Sequence, residues 1–379
     1  MERSFLFSPK SLSILLFLFL LDTCLVVGQE LYKLPAPTHS EKGLPCSSLV
    51  LVKEINSSYD DDVILARPIA LTVDASGNIF VYDSMLKRIS KFDKNFKYIT
   101  NFMKGGRGPG ESGGGGGMEM GFYKIYYAPD SNIYVSDPLN NKIIIFSTAG
   151  VHLKDIRLDR SGRVPFCPVV DRRGHLYALN GKGKIIDELD INSKMKLICT
   201  YLDDSLNNNF IIFKPKLSSR IPKQIAEIFF SRSDLFMNYY DVTRDNQLLL
   251  FLANSSTLYV FKGMKLVFQT NVFIHSEMEK MQNEAVALIK RAKKSKGGAL
   301  SYSNMFKSFF IDKDDDRFFY LCTSFDMLNL YKFSVRGVLV KTLSYPEKHL
   351  LIVTKRNNLF YGFSGENGNP VIFKEENKK

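Results

Sequence analysis

Asp83 and Asp137 have the chemistry of an acid–base pair, since two carboxylates in one cleft can act as general acid and general base. Both aspartates, however, occupy the same position in two segments that align without a gap at an offset of 54 residues. A basic residue follows each of them by five positions, Arg88 and Lys142 respectively. We therefore interpret each pair as a tie between two neighbouring strands and predict no catalytic residue here.

The glycine-rich run 105–117 is the most conspicuous local segment. A phosphate-binding loop requires the pattern GxxxxGK[ST] between a strand and a helix, and no Lys-Ser or Lys-Thr pair follows this run. We predict a flexible connector between two structural repeats, in which glycine permits backbone conformations closed to other residues. In the functional alternative the loop covers a ligand face, where Arg107 offers its planar guanidinium to a carboxylate or phosphate.

Metal-binding patterns are weak throughout the chain. The acidic cluster 312–316 lacks the glycine and the glutamate of a calcium loop, because Arg317 and Thr323 stand at those positions. Asp312 instead aligns with Asp74 in a hairpin turn. No two of the five histidines lie within eight residues of each other. We predict no metal and no cofactor, and leave open an ion held in a central channel by residues from different repeats.

The elements that position these residues repeat along the chain. Segment 73–92 aligns with 127–146, and each copy has alternating apolar residues separated by turn residues, which is typical of a strand meander. Phe92 and Phe146 are equivalent structural positions in the two copies, and we predict that Tyr331 takes this position in a later copy. The hairpin recurs in segments 171–179, 243–251, 311–321 and 353–361. Six units of about 45 residues predict an all-β, six-bladed β-propeller.

The two chain ends are predicted to meet in the last blade. The sixth unit supplies only three strands before the chain ends, whereas the strand-like run 48–55 has no hairpin partner of its own. We expect this N-terminal strand to close the last blade as its outermost strand. Such pairing hides sheet edges that would otherwise favour aggregation.

The first two units resemble NHL repeats, in which Asp at the end of a strand is followed by Asn, a basic residue and Ile. Segment 137–143, DPLNNKI, fits this pattern in full, whereas in segment 83–89, DSMLKRI, Leu86 replaces the usual Asn. The segment GRGPGE, residues 106–111, is similar to a loop between blades of exported bacterial six-bladed propellers. The resemblance implies fold and export more than function.

Residues 1–28 have the weakly basic start and apolar stretch of a secretory signal, which is cleaved, retained as an anchor or processed as a lipoprotein signal. We expect an exported protein, periplasmic, at the cell envelope or secreted, with a linker at 29–45 and the propeller at 46–375. A helical apolar period at 275–296 predicts one inserted amphipathic helix, either a cap on the propeller or a peripheral contact with an anionic membrane or a partner. Four cysteines follow the signal, and either a bridge between Cys167 and Cys199 or buried free thiols fit their wide spacing.

The charge of the chain favours acidic partners. Its formal net charge is +12 at pH 7, for which a solvated basic surface is the simplest explanation. We predict a non-catalytic binding scaffold for a protein, an acidic glycan or another anionic ligand, and no specific nucleic acid. The alternative is a propeller enzyme, a lyase or a lactone hydrolase, with a divalent ion in the central channel. A third possibility is a purely structural part of an assembly. The predicted ligand-binding residues are Arg107, Glu111, Lys87, Arg88, Asn140 and Lys142.

Overall fold

The computed structural model describes residues 44–55, 64–113, 124–157, 163–182, 195–201, 209–213, 240–252, 257–262, 265–272, 306–324, 327–347, 350–364 and 368–376. The regular secondary structure of these segments is β-strand, apart from one short 3-10 turn at Pro138–Asn140. The predicted all-β class is therefore confirmed. The predicted signal at 1–28 and the predicted helix at 275–296 lie outside the described residues. Nowhere in the described segments is a helix long and apolar enough to span a membrane.

The strands follow each other in short antiparallel meanders. In chain order they are β1 (Cys46–Glu54), β2 (Pro68–Val73), β3 (Ile79–Asp83), β4 (Arg88–Phe92), β5 (Tyr98–Phe102), β6 (Lys104–Gly105), β7 (Glu111–Ser112), β8 (Ile125–Tyr127), β9 (Asn132–Asp137), β10 (Lys142–Ser147), β11 (His152–Arg157), β12 (Arg163–Val170), β13 (His175–Lys182), β14 (Met195–Tyr201), β15 (Asn209–Phe213), β16 (Tyr240–Val242), β17 (Gln247–Leu252), β18 (Thr257–Lys262), β19 (Lys265–Asn271), β20 (Phe306–Ile311), β21 (Phe318–Ser324), β22 (Leu328–Ser334), β23 (Leu339–Tyr345), β24 (Leu350–Arg356), β25 (Leu359–Ser364) and β26 (Pro370–Glu375).

The sheets repeat one plan. Strands β2–β5, β8–β11, β12–β15 and β16–β19 each form a four-stranded antiparallel sheet in sequence order. Strands β20–β23 and β24–β26 are joined through β1 into an eight-stranded sheet. The first strands of successive units contact each other in the cycle β2, β8, β12, β16, β20, β24 and back to β2. Four-stranded sheets arranged radially around their first strands form a β-propeller.

The N-terminal strand closes the ring, as predicted. β1 pairs antiparallel with β26, with Leu49 opposite Glu375 and Glu54 opposite Val371. The sequence did not predict a second pairing, in which the start of β1 runs parallel to β23 with Cys46 opposite Thr342. β1 therefore hydrogen-bonds to two units at once, and this pairing covers the outer edges of β23 and β26.

The core lies between neighbouring sheets. Phe92 pairs with Ile79 in the first unit and Phe146 with Ile133 in the second, and all four side chains are buried. In the fifth unit Phe333 pairs with Phe319, so Phe333 and not Tyr331 takes the equivalent position. The prediction was wrong because the turn from Asp312 to Phe318 is longer than the turn from Asp74 to Asn78, which shifts the register.

Candidate functional site

Asp83 ends β3 and organises the backbone on both sides of its strand. Its Oδ2 accepts hydrogen bonds from the backbone N–H groups of Ala66 (2.6 Å) and Arg67 (2.9 Å). Its Oδ1 accepts from the N–H groups of Met85 (3.0 Å) and Leu86 (2.9 Å). The carboxylate is fully buried, and all four contacts are to turn or connector backbone.

Asp137 occupies the equivalent position at the end of β9. Its Oδ2 accepts from the backbone N–H of Gly113 (3.0 Å) and from Nδ2 of Asn140 (2.8 Å). Burial raises the pKa of Asp137, and the hydrogen bonds from Gly113 and Asn140 offset only part of that rise. Like Asp83, this carboxylate holds a connector against the turn that follows its strand.

The predicted carboxylate–cation ties are not formed by these side chains. Asp83 lies opposite Arg88, and Asp137 opposite Lys142, in the backbone register. Arg88, however, donates from its guanidinium to the carbonyl oxygen of Ile64 (2.8 Å), and Lys142 binds Asp155. The physical reason is that each buried aspartate already accepts hydrogen bonds from nearby N–H groups, those of the backbone and, at Asp137, also that of the Asn140 side chain, which leaves the basic residue to bind elsewhere.

Lys142 is the centre of a buried polar network. Its ammonium group is inaccessible to solvent and donates to the carbonyl oxygen of Gly108 (2.7 Å) and to Oδ2 of Asp155 (2.8 Å). Oδ1 of Asp155 lies 2.9 Å from Nε2 of His152 and accepts from the N–H of Gly110 (3.2 Å). Burial alone would raise the pKa of Asp155, but the hydrogen bonds from Lys142, His152 and Gly110 lower it below the ordinary value. Asp155 is therefore ionised at neutral pH.

The connector loop, which we define as residues 104–113, is fixed by this network, whereas the sequence predicted a flexible connector. Oε2 of Glu111 accepts from the N–H of Gly108 (2.8 Å), and Nδ2 of Asn140 donates to the carbonyl oxygen of Gly106 (2.8 Å). The backbone hydrogen bond from Gly108, followed by the hydrogen bond from Lys104, lowers the pKa of Glu111. A Cβ atom at Gly106 would lie 2.0 Å from Oε2 of Glu111, so only glycine allows this approach.

The six predicted ligand-binding residues therefore fall into two groups. Lys142, Asn140 and Glu111 use their polar atoms to hold the connector loop. Arg107 is exposed, and its guanidinium makes no hydrogen bond or ion pair with any described residue.

Of the other two predicted residues, Lys87 lies beside the loop and Arg88 binds a different segment. Lys87 adopts a left-handed backbone conformation (φ 54°) and packs its side chain against Gly105. Arg88 is held by the carbonyl oxygen of Ile64. The structure thus brings the predicted residues other than Arg88 together around one loop, and Arg107 is the member that the network leaves exposed.

At the opposite end of the strands, the acidic cluster forms turns, as predicted. Oδ1 of Asp312 accepts from the N–H groups of Asp314 (3.0 Å) and Asp315 (3.3 Å). Asp314 reaches the next unit, where it accepts from the N–H of Asn357 (2.7 Å) and binds Nζ of Lys355 (2.8 Å). These carboxylates link successive hairpin turns around the ring.

Sequence reasoning missed Asp155. Asp155 lies thirteen residues beyond Lys142 and is brought to it by the β10–β11 pairing, which shifts register between Ile145 and Phe146. The repeat alignment offered no signal for it.

No family model matches the chain, and no curated protein matches its sequence. Solved structures do resemble it. A member of the DUF4221 family from Bacteroides vulgatus is 13% identical, with a TM-score of 0.54, and the match covers 87% of this chain and 98% of that one. A protein from Bacteroides fragilis described as exported is 12% identical, with a TM-score of 0.53 over 88% and 99% of the two chains. A streptogramin B lyase is 9% identical, with a TM-score of 0.50 over 86% and 98%. The chain therefore shares the β-propeller fold with these proteins.

Proposed function

We propose that this chain is an exported six-bladed β-propeller that serves as a non-catalytic binding scaffold for a polyanionic partner. The six-bladed count is supported by the cycle of contacts between the first strands of six units and by the closing strand β1. Export is supported by the secretory pattern of residues 1–28. The description of the Bacteroides fragilis protein as exported agrees with it.

The main support for the proposed binding face is that hydrogen bonds hold the connector loop in place while Arg107 stays exposed. A free glycine-rich loop loses much conformational entropy when it binds a partner. Here the buried Lys142–Asp155 pair and Asn140 fix the loop before any partner arrives. Holding a binding loop in place lowers that entropic loss, which favours tighter binding.

The surroundings of Arg107 favour a negative partner. Lys104 is largely exposed, and Lys87 lies against the same loop at Gly105. An arginine side chain can donate two parallel hydrogen bonds to a carboxylate, sulfate or phosphate group. The proposed partner therefore presents several such groups, either as an acidic protein surface or as an acidic glycan.

Replacing Arg107 by alanine is expected to weaken binding of the mature protein, residues 29–379, to immobilised heparin and poly-glutamate by about fivefold to tenfold. The loss follows from removal of the exposed guanidinium, while the loop stays fixed by Lys142 and Asn140. Biolayer interferometry at low ionic strength measures the dissociation constants. The thermal unfolding midpoint should not change, because the exposed guanidinium of Arg107 makes no hydrogen bond or ion pair with any described residue.

Arg173→Ala is the matched control. Arg173 is also exposed but lies in the β12–β13 hairpin turn, at the opposite end of the strands from the connector loop. It should leave both affinities within about twofold of those of the unchanged protein. Equal losses for the two variants would indicate general charge attraction and contradict the proposed face, as would an Arg107→Ala variant that binds normally.

A further inference from the structure

A cavity of about 150 Å³ lies in the central channel, among the first strands β2, β8, β20 and β24 and beside β16. Its described lining carries one carboxylate and four cationic side chains. The carboxylate is Asp241, and the cations are Lys124, Lys307, Lys313 and Arg356. This part of the channel thus has a formal excess of three positive charges.

Asp241 is fully engaged with its own neighbours. Its Oδ2 accepts from Nζ of Lys313 (2.6 Å) and from the N–H of Ile311 (3.2 Å), and its Oδ1 accepts from the N–H of Val242 (2.8 Å). Burial alone would raise the pKa of Asp241, but the ammonium groups of Lys313 and Lys124 lower it below the ordinary value. Asp241 is therefore ionised, and Lys313 neutralises it.

Arg356 has no such counter-charge among the described residues. Its Nε is buried and has no hydrogen-bond partner there, and its guanidinium lies 5.2 Å from the centre of the Tyr127 ring. The aromatic face holds the guanidinium but does not use its N–H donors. A buried N–H donor without an acceptor is unfavourable, so an acceptor that enters the channel and binds Arg356 would remove this cost.

The walls of the cavity are largely apolar, with Leu71, Val73, Phe309 and Val353 between the cations. Charges interact more strongly beside such walls than in water, because little solvent screens them. Apolar walls also favour a ligand that carries a hydrocarbon part. The same charges disfavour a divalent cation, because the carboxylate of this lining is already paired with Lys313.

We propose that the central channel contains a binding site for a small organic anion, whose carboxylate or phosphate group is bound by Arg356 with support from Lys307. Lys307 lines the same cavity, and no described residue forms an ion pair with it. The site is independent of the connector loop, since none of its residues belongs to the network around Lys142. An experiment can therefore support or contradict the proposed channel site without bearing on the proposed binding face around Arg107.

The test is isothermal titration of the mature protein, residues 29–379, with benzoate, succinate and inorganic phosphate. We expect at least one of them to bind with one-to-one stoichiometry, and to raise the thermal unfolding midpoint because it binds the folded state. Arg356→Gln should weaken that binding at least tenfold, and Arg356→Lys should weaken it less. The identity of the best probe distinguishes a carboxylate ligand from a phosphate ligand. Arg107→Ala should leave this binding unchanged.

Arg173→Gln, at an exposed arginine outside the channel, is the matched control and should bind the probe normally. Lys307→Gln gives a second measurement if Arg356→Gln does not fold, and it should weaken binding about threefold or more. Failure of all three probes to bind would overturn the proposal. Unchanged binding in a folded Arg356→Gln variant would also overturn it. If only Lys307→Gln folds, unchanged binding in that variant would do the same.

Discussion

A mature chain that lacks β1 and begins at residue 56 is expected to unfold about 10 °C or more below the chain that begins at residue 29. Leu49 and Ile55 are both buried, and each contributes roughly 1.5–3 kcal/mol on burial. The deletion also removes the hydrogen bonds of β1 to β26 and β23. Two sheet edges become exposed, which favours association between chains. Circular dichroism melting and size-exclusion chromatography measure the two effects.

Two substitutions within β1 test whether stability depends on the buried contacts of this closing strand or falls with any change in the strand. Leu49→Ala should lower the free energy of unfolding by about 2–4 kcal/mol, because its side chain packs in the core between the last units. Leu51→Ala is the matched control and should have a small effect, because that side chain is 39% exposed. A chain without β1 that melts and elutes like the longer chain would show that closure does not depend on this strand.

The sequence predicted the closure of the ring because strand counting is a global constraint. A propeller blade needs four strands, and the last unit supplies three, so the unpaired run at 48–55 had one economical partner. The pairing of Leu49 with Glu375 confirms that reasoning. The parallel contact of Cys46 with Thr342 was not predictable in this way, because a strand that already has one partner gives no sequence signal for a second.

The candidate sites were less predictable, because they depend on distances between residues remote in the sequence. The repeat correctly placed Asp83 and Asp137 at equivalent strand ends. The repeat could not show that nearby N–H groups would satisfy both carboxylates. Asp155 was therefore not predicted as the partner of Lys142. The thiols show the same limit, because the sequence did not distinguish Cys322, whose pKa burial raises to about 11, from the exposed Cys46. The side chains of Cys167 and Cys199 lie outside the described residues.

The cationic residues of the channel were also unpredictable, because they are remote from one another in the sequence and meet only in the folded chain. Lys124 and Arg356 lie in the second and last units, and ring closure makes both line one cavity. Charge composition predicted an acidic partner from the net charge of the whole chain. It could not distinguish cations on the surface from cations in the channel, and only the positions of the first strands do so.

Asp155→Ala is expected to lower the free energy of unfolding by about 3–5 kcal/mol, because it leaves the buried ammonium group of Lys142 without its counter-ion. The carbonyl oxygen of Gly108 would remain as an acceptor, which does not neutralise the charge. The connector loop should also loosen, because Gly110 loses its hydrogen bond to Asp155. Urea unfolding measures the first effect, and proteolysis within the connector loop measures the second.

The double substitution Lys142→Met with Asp155→Leu tests whether the stability lost in Asp155→Ala comes from the unpaired charge of Lys142 or from lost packing. Replacing both partners of a buried ion pair by apolar residues is often nearly neutral, whereas removing one partner is strongly destabilising. We therefore expect the double variant to recover most of the stability lost in Asp155→Ala. Lys104→Ala, in the exposed pair with Glu111, is the matched control and should show no measurable change. If Asp155→Ala unfolds like the unchanged protein, the buried pair does not anchor the connector loop, and the fixed loop that the proposed binding face requires loses its support.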